Sequence, residues 1–243
     1  MSERVLAVIP ARWGAIRFPG KPLQTLWGKP MLQHVWERAR AADGIDRLAI
    51  ATDDARIADA ARAFGAEVEM TAATHESGTD RVAEVARRAP EFGIVLNLQG
   101  DEPELDGEAV GEMVAAMRAE GDVRMATLAH VEHEPRVLAA EDVVKVVVDA
   151  RGWALYFSRA DLAAGSRGGP ALRHVGVYGF RRDLLLEFTS WPPAALERAE
   201  RLEQLRALEH GIRIKVIVGA RGFAGVDTPE QLANLEQRGP ARR

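Results

Sequence analysis

The chain alternates short continuous apolar runs with longer stretches where apolar residues recur every three or four positions, a pattern that predicts strands and helices in turn. Val5-Leu6-Ala7-Val8-Ile9 is the first run, broken by no polar residue and so suited to a strand covered on both faces. After a polar loop, Leu32, Val35, Trp36 and Ala39 make a helical stripe opened by Gly28-Lys29-Pro30, with proline at the first helical position. Next come a short strand at Arg47–Ala51, a Thr52-Asp53-Asp54 cap, a helix striped by Ile57, Ala60, Ala61 and Phe64, and a strand at Ala66–Met70. Polar Thr71–Asp80 leads into a helix carrying Val82, Val85 and Ala86, and Gly93–Leu98 is another continuous apolar strand. Repeated βα units predict an α/β fold with a doubly wound, mainly parallel mixed sheet.

The second half breaks that rhythm. Val143–Val148 and Trp153–Phe157 flank the turn-forming Asp149-Ala150-Arg151-Gly152, which predicts an antiparallel hairpin. Leu162–Pro170, rich in Gly, Ala and Ser, predicts a mobile loop. Arg173–Phe180 reads as a strand, Arg181–Ser190 as a helix, Ala195–His210 as one long helix and Arg213–Val218 as a strand; a last helix follows Asp227, and Gly239–Arg243 is a frayed tail. With no internal repeat and no clean linker, the expectation is one domain over residues 1–243 with an inserted hairpin region at about 131–180.

Composition narrows the chemistry. The absence of cysteine excludes disulfides and thiolate metal sites, leaves oxygen or histidine ligands for any metal, and agrees with a reducing cytosol. The longest apolar stretches are of strand length, and no basic region precedes a long hydrophobic segment at the N-terminus. The sequence therefore predicts a soluble, cytoplasmic protein without signal peptide or membrane span. A net charge of −4, with acids and bases mixed along the chain, argues against a general nucleic-acid binder, so an anionic substrate needs a local basic cluster.

Such a cluster follows the first strand, where Pro10 to Leu23 read Pro-Ala-Arg-Trp-Gly-Ala-Ile-Arg-Phe-Pro-Gly-Lys-Pro-Leu. Arg12, Arg17 and Lys21 are thereby set at the carboxyl end of a buried strand, where open α/β folds bind ligands. Three fixed cations suit a polyanion such as a nucleoside triphosphate. The loop is not a P-loop, because Gly14 lies one position too early and Pro22 replaces the metal-binding hydroxyl. It contains no Gly-x-Gly-x-x-Gly either, which argues against a dinucleotide.

Two carboxylates stand at strand ends. Asp101 follows Ile94–Leu98 and fits either an Asx turn before Glu102-Pro103 or a functional role. Asp227 precedes Thr228 and Pro229, which suit the N-cap and first helical positions, with Gln231 as the capping-box partner, so Asp227 is left for another task. As a pair they match the way magnesium is held, by one or two carboxylates plus substrate phosphates. Ser77-Gly78-Thr79-Asp80-Arg81 is either a plain N-cap at Thr79 or a ligand contact ahead of a helix. Arg159, Arg173, His174 and Tyr178 form a second polar group: His174 and Tyr178 share a strand face, as ordinary core or edge residues or as part of an anion site. Glu203-Gln204 fits a solvated helix face, and the tryptophans fit core anchors. No nucleophilic triad or Cys-His pair is visible, which favours direct displacement.

These segments recur in order in one family. Ile-Pro-Ala-Arg at 9–12, Arg-Phe-Pro-Gly-Lys-Pro-Leu at 17–23, Gly-Lys-Pro-Met at 28–31, Ala-Thr-Asp-Asp at 51–54 and Ser-Gly-Thr-Asp-Arg at 77–81 are continued by Asn-Leu-Gln-Gly-Asp-Glu-Pro at 97–103. Ala-Leu-Tyr-Phe-Ser-Arg at 154–159, Arg-His-Val-Gly-Val-Tyr at 173–178, Leu-Glu-Gln-Leu-Arg at 202–206 and Val-Asp-Thr-Pro-Glu at 226–230 complete the set. Over nearly its whole length the chain resembles the 3-deoxy-manno-octulosonate (Kdo) cytidylyltransferase family. The resemblance implies a nucleotide-diphosphosugar transferase fold, a homodimer, and transfer of CMP from CTP to the anomeric hydroxyl of an eight-carbon sugar acid, with pyrophosphate released, for lipopolysaccharide synthesis. It implies that the region at about 131–180 serves sugar-acid and dimer contacts.

Carried over by motif, Arg12, Lys21, Asp101 and Asp227 would be catalytic, with Arg17 supporting the triphosphate and Ala11, Ser77, Gly78, Thr79 and Gln99 lining the nucleotide site. Mg2+ would sit on Asp101 and Asp227. Gln99, Arg159, His174, Tyr178, Glu203 and Gln204 would form the sugar-acid pocket. The chain departs from the family at Gly14-Ala15, where Ser or Thr is common, leaving backbone N–H groups to contact phosphate, and at Leu162-Ala163-Ala164. Enzymes that take the 8-amino-8-deoxy sugar acid share the Arg-Phe-Pro-Gly-Lys loop, which makes that acid the alternative substrate. A noncatalytic nucleotide-binding module and an enzyme acting on a sugar 1-phosphate are the rival readings.

Overall fold

The computed structural model describes residues 3–14, 18–160, 162, 171–219 and 225–240. Arg17, Ala15, nearly all of the loop expected at 162–170 and the last three residues of the tail lie outside them.

Strand β1 (Val5–Ala11) is central, and its unbroken apolar run has a direct cause. Val5, Ala7 and Ile9 face one core cluster while Leu6 and Val8 face another, all of them fully buried. The first cluster is capped by α1 (Met31–Arg40) and α4 (Gly107–Ala119), through Leu32, Val35, Val110 and Met113. The second is covered by α3 (Gly78–Arg88) and α6 (Arg182–Phe188), through Val82, Val85, Leu184 and Phe188. A strand sandwiched in this way has no solvent face on which polar residues could alternate.

Around β1 a nine-stranded mixed sheet is assembled. β4 (Arg47–Thr52) and β6 (Ile94–Leu98) flank β1 in parallel, and β5 (Glu67–Met70), reached through α2 (Ala55–Ala63), extends the β4 edge. On the other side β10 (Ala171–Arg181) runs antiparallel to both β6 and β7 (Met125–Glu132), and β11 (Ile214–Gly219) pairs parallel with β7. β8 (Lys145–Val148) and β9 (Ala154–Ser158) form the predicted antiparallel hairpin, and β8 docks on β10. Its turn is closed by the Asp149 carboxylate, which accepts the Arg151 and Trp153 N–H groups at 2.8 and 2.9 Å. A short ribbon of β2 (Thr25–Leu26) and β3 (Lys29–Pro30) turns through Trp27 and Gly28, both at positive φ, and leads into α1 with Pro30 one position earlier than expected, at the N-cap. α5 (Pro135–Leu138) is a single turn after β7.

Besides the β2–β3 ribbon and the single turn α5, which the sequence pattern does not predict, two longer elements exceed the sequence expectation and one is divided. α4 and β7 were not anticipated, and the long helix predicted over Ala195–His210 is instead α7 (Ala195–Glu200) and α8 (Gln204–Glu209). The break is at Arg201, whose φ of 57 and ψ of 45 are left-handed. It buries Leu202 and turns Glu203 and Gln204 out of the predicted solvated face toward the carboxyl edge of the sheet. The last helix, α9 (Pro229–Arg238), starts where predicted.

Candidate functional site

Because β1, β6, β7 and β11 point the same way, their carboxyl ends share one edge, and the antiparallel β10 brings the first part of its length to that edge as well. Two adjoining clefts lie there, of about 330 and 340 Å³. Gln99, Asp101 and Asp227 line both.

The first cleft is floored by the end of β1. Ala11 and Arg12 line it with Lys21, Ser77, Gly78, Gln99, Asp101 and Asp227. The basic loop is drawn back on itself by the Gly20 N–H, which donates to the Trp13 carbonyl at 3.0 Å. Gly20 has a φ of +70, and a Cβ there would stand 3.0 Å from the Trp13 ring, so only glycine fits both the conformation and the space. The guanidinium of Arg56 lies over the same Trp13 ring, 3.5 Å from its centroid. The Lys21–Leu23 3-10 turn that follows points Lys21 inward. Arg12 is exposed and has no hydrogen-bond or ion-pair partner among the described residues, whereas Arg81, only 3% exposed, is held by Asp53 at 3.0 Å.

The two aspartates meet. The Val226 N–H donates to the Asp101 carbonyl at 2.9 Å, tying the segment before α9 to the end of β6. Thr228 caps α9 with Gln231 as its box partner, as the sequence predicts, and the Gln231 Oε1 also receives the Asp227 N–H at 2.7 Å. Lys21 Nζ then lies 2.6 Å from Asp101 Oδ2 and 3.1 Å from Asp227 Oδ1. Burial disfavours the Lys21 ammonium, but the two carboxylates outweigh it and hold its pKa above the usual lysine value. Beside them is a carboxylate that sequence reasoning missed. Glu102 is pushed up to about 8 by burial and then by the charges of Asp101 and Asp227, and its Oε2 is buried without a hydrogen-bond partner among the described residues. Its adjacency to Asp101 in Gly100-Asp101-Glu102 was the available signal.

Among the described residues no group of three His, Cys, Asp or Glu side chains is arranged to hold a metal. A cation at this point would rest on Asp101 and Asp227, with its remaining positions left to phosphate oxygens and water. An all-oxygen, partly solvated donor set of that kind suits magnesium.

Thr79 is not the N-cap of α3. Ser77 is, in a reciprocal box with Asp80 at 3.1 Å in each direction. Ser77 and Gly78 line the first cleft, and Gly78 lets the helix start approach β1, since a Cβ would meet the Pro10 ring at 3.2 Å. Thr79, 2% exposed, turns the other way: its hydroxyl donates to Glu203 Oε2 at 2.5 Å and accepts from Asn97 Nδ2 at 3.2 Å.

The second cleft is lined by Arg159, Arg173, His174, Tyr178, Glu203 and Gln204, together with the shared residues. An irregularity in β10 between Val175 and Tyr178 keeps His174 and Tyr178 in contact, with ring centroids 5.5 Å apart. Thr127, also missed by sequence reasoning, sets the imidazole. Its single hydroxyl proton goes to the Val177 carbonyl at 2.8 Å, so at 2.9 Å it accepts the His174 Nε2–H and leaves Nδ1 as an acceptor. Burial holds the His174 pKa down to about 3, so the ring is neutral. Burial, with the nearby Glu203, pushes the Tyr178 phenol well up, and burial also raises the Glu203 carboxyl against the opposing Thr79 hydrogen bond and Arg206 charge. Gln204, 3% exposed, keeps its Nε2 without a hydrogen-bond partner among the described residues.

Arg159 is fixed by buried Lys145, whose ammonium donates to the Arg159 carbonyl at 2.5 Å and to the Val143 and Ala140 carbonyls at 2.8 and 3.2 Å. The Arg159 N–H donates to Glu200, which also accepts from Ser158. A basic loop on one cleft, a second cleft that mixes guanidinium groups with carboxylates and neutral hydrogen-bonding side chains, and two shared aspartates between them suit a reaction between two ligands, one of them a polyanion.

Known proteins agree with that description. A cytidylyltransferase family model matches residues 6–214. A 3-deoxy-manno-octulosonate cytidylyltransferase of Anaeromyxobacter sp. strain Fw109-5 is 55% identical, over 95% of this chain and 94% of its own length. The protein of the same name from Geobacter sulfurreducens is 46% identical, over 96% and 98%. A solved CMP:2-keto-3-deoxy-manno-octonic acid synthetase complexed with CTP superposes with a TM-score of 0.91 at 42% identity, over 97% of this chain and 98% of that one. A 4-diphosphocytidyl-2C-methyl-D-erythritol synthase from Anaerococcus prevotii, 15% identical with a TM-score of 0.64 over 97% and 96% of the two chains, shares the fold. On fold, site and sequence together, the chain belongs to the 3-deoxy-manno-octulosonate cytidylyltransferase family.

Proposed function

We propose that this protein transfers CMP from CTP to the anomeric hydroxyl of 3-deoxy-manno-octulosonate, releasing pyrophosphate, with Mg2+ held by Asp101 and Asp227. The observation that carries the reading is the convergence of these two carboxylates on one cationic point where the two clefts join. Arg12, Lys21 and Arg17 bind the triphosphate and neutralise charge on the departing pyrophosphate, and the N-terminus of α3 at Ser77 and Gly78 faces the phosphates. Arg159 and Arg173 pair with the acceptor carboxylate, His174 Nδ1 accepts a sugar hydroxyl, and Gln99 and Gln204 donate to others. When bound, Mg2+ supplies phosphate charge neutralisation and lowers the pKa of the attacking hydroxyl. Positioning and electrostatics then carry a direct displacement with no covalent intermediate on the protein.

The relatives' names favour the 8-hydroxy sugar acid over its 8-amino counterpart. A homodimer is supported by Val131, Val147 and Leu155, which are 44%, 43% and 60% exposed within the hairpin region. The continuous sheet supports one domain. Cytoplasmic placement is supported by the lack of cysteine, and a place in lipopolysaccharide synthesis rests on the family resemblance; among the described residues no helix is long and apolar enough to cross a membrane.

Asp101→Asn tests the assignment: turnover should fall by about 10²-fold or more with the fold retained. Near-normal turnover would remove Asp101 from the reaction. Competition by a sugar 1-phosphate, with no response to the sugar acid, would support the rival enzyme, and CTP binding without pyrophosphate release would support the noncatalytic module.

A further inference from the structure

Lys21 stands where the proposed metal would bind. Its Nζ makes hydrogen bonds to Asp101 Oδ2 and Asp227 Oδ1 at 2.6 and 3.1 Å; the Lys21 side chain is only 13% exposed and the Asp101 contact is part-buried, while Asp227, 49% exposed, closes the group on its open side. Arg12, on the same loop and in the same cleft, is exposed and engages no carboxylate among the described residues. Two of the loop's cations, Arg12 and Lys21, are therefore in different states, one open to an anion and the other already committed to the carboxylates.

Two aspartates aimed at one point repel each other unless a cation lies between them, and Lys21 supplies that cation. A divalent ion seeking the same oxygens meets an ammonium about 3 Å away, a repulsion that a partly desolvated site does not screen. A triphosphate in the first cleft offers Lys21 another set of anionic oxygens. Once the ammonium turns to them, the carboxylates are released to the metal.

We propose that Lys21 is a tethered placeholder cation. It keeps Asp101 and Asp227 gathered and blocks metal until the triphosphate draws it away, so that metal and nucleotide load together. The inference rests on the reading of the two aspartates as metal ligands. By linkage, the factor by which nucleotide tightens metal is the factor by which metal tightens nucleotide, and Lys21 sets much of it.

The test is Mn2+ binding to the nucleotide-free protein, followed through the electron paramagnetic resonance of the free ion. Lys21→Met and Lys21→Gln, each checked by thermal unfolding, should bind Mn2+ alone roughly tenfold or more tightly than wild type. Adding Asp101→Asn to either should abolish the gain. Binding equal to or weaker than wild type would overturn the proposal. Wild type offers a measurement independent of any variant: saturating Mn2+ should raise the reactivity of Lys21 toward an amine-selective reagent, read by mass spectrometry, and unchanged reactivity at saturation would equally overturn it. Failure of pyrophosphate release with every sugar acid would instead end the reaction assignment, a separate result because the Mn2+ titration requires no turnover.

Discussion

At the scale of single residues, the site depends on side chains that hold others in one protonation state. Thr127 is fully buried, accepts from His174 and donates to the Val177 carbonyl. Thr127→Val leaves both partners unsatisfied, a loss of about 1–3 kcal/mol. The expected outcome is a KM for the sugar acid raised about tenfold with the KM for CTP little changed, and recovery in Thr127→Ser. Equal rises in both KM values would mean that Thr127 serves the fold rather than the acceptor. Little of this arrangement was legible in the sequence. His174 and Tyr178 could be placed on one face from their spacing, but the tautomer depends on a threonine 47 positions away in the chain. Thr79 shows the converse: its place beside Ser77 suggests a cap, while its hydroxyl goes to Glu203 across the sheet edge.

At the scale of elements, the basic loop is shaped by backbone constraint as much as by charge. Gly20→Ala forces a side chain into the left-handed region against the Trp13 ring, destabilising the fold by about 1–2 kcal/mol and displacing Lys21. Gly65→Ala is the control: at a φ of +87 but with open space around it, it should show strain in denaturant unfolding without loss of CTP affinity. Similar CTP affinities for the two variants would detach the loop's geometry from nucleotide binding. β1, the hairpin and the α9 capping box were legible because each carries a local signal, whether two-sided burial, turn residues or a cap. β7 was not, because Thr127 and His130 interrupt its apolar pattern and are buried only through tertiary partners. The Arg201 break was not legible either, since no glycine or proline marks it; burial of Leu202 is one gain that offsets the left-handed strain.

At the scale of the whole molecule, the antiparallel β10 between β6 and β7 helps bring both clefts to one edge of the sheet. That gathering buries titratable groups and shapes the pH response. Burial holds His174 near 3 and His130 near 4, so between about pH 3 and 6.5 the unfolded chain binds more protons than the folded one, and stability falls as pH drops through that range. Glu102, raised to about 8, acts oppositely: the folded state holds the extra proton, and stability falls as pH rises from about 4.5 to 8. Denaturant unfolding across pH should show His174→Gln losing less stability than wild type on acidification; an unchanged acid slope would contradict the burial of a neutral imidazole.

Pyrophosphate release is the decisive measurement of whether CMP passes from CTP in one cleft to a sugar acid in the other at the Asp101–Asp227 pair. With CTP, 3-deoxy-manno-octulosonate and Mg2+ together, the wild-type protein should release pyrophosphate, with the 8-amino acid a poorer acceptor and release lost when metal or acceptor is omitted. Absence of release with either acid, or release indifferent to which acceptor is present, would contradict the account.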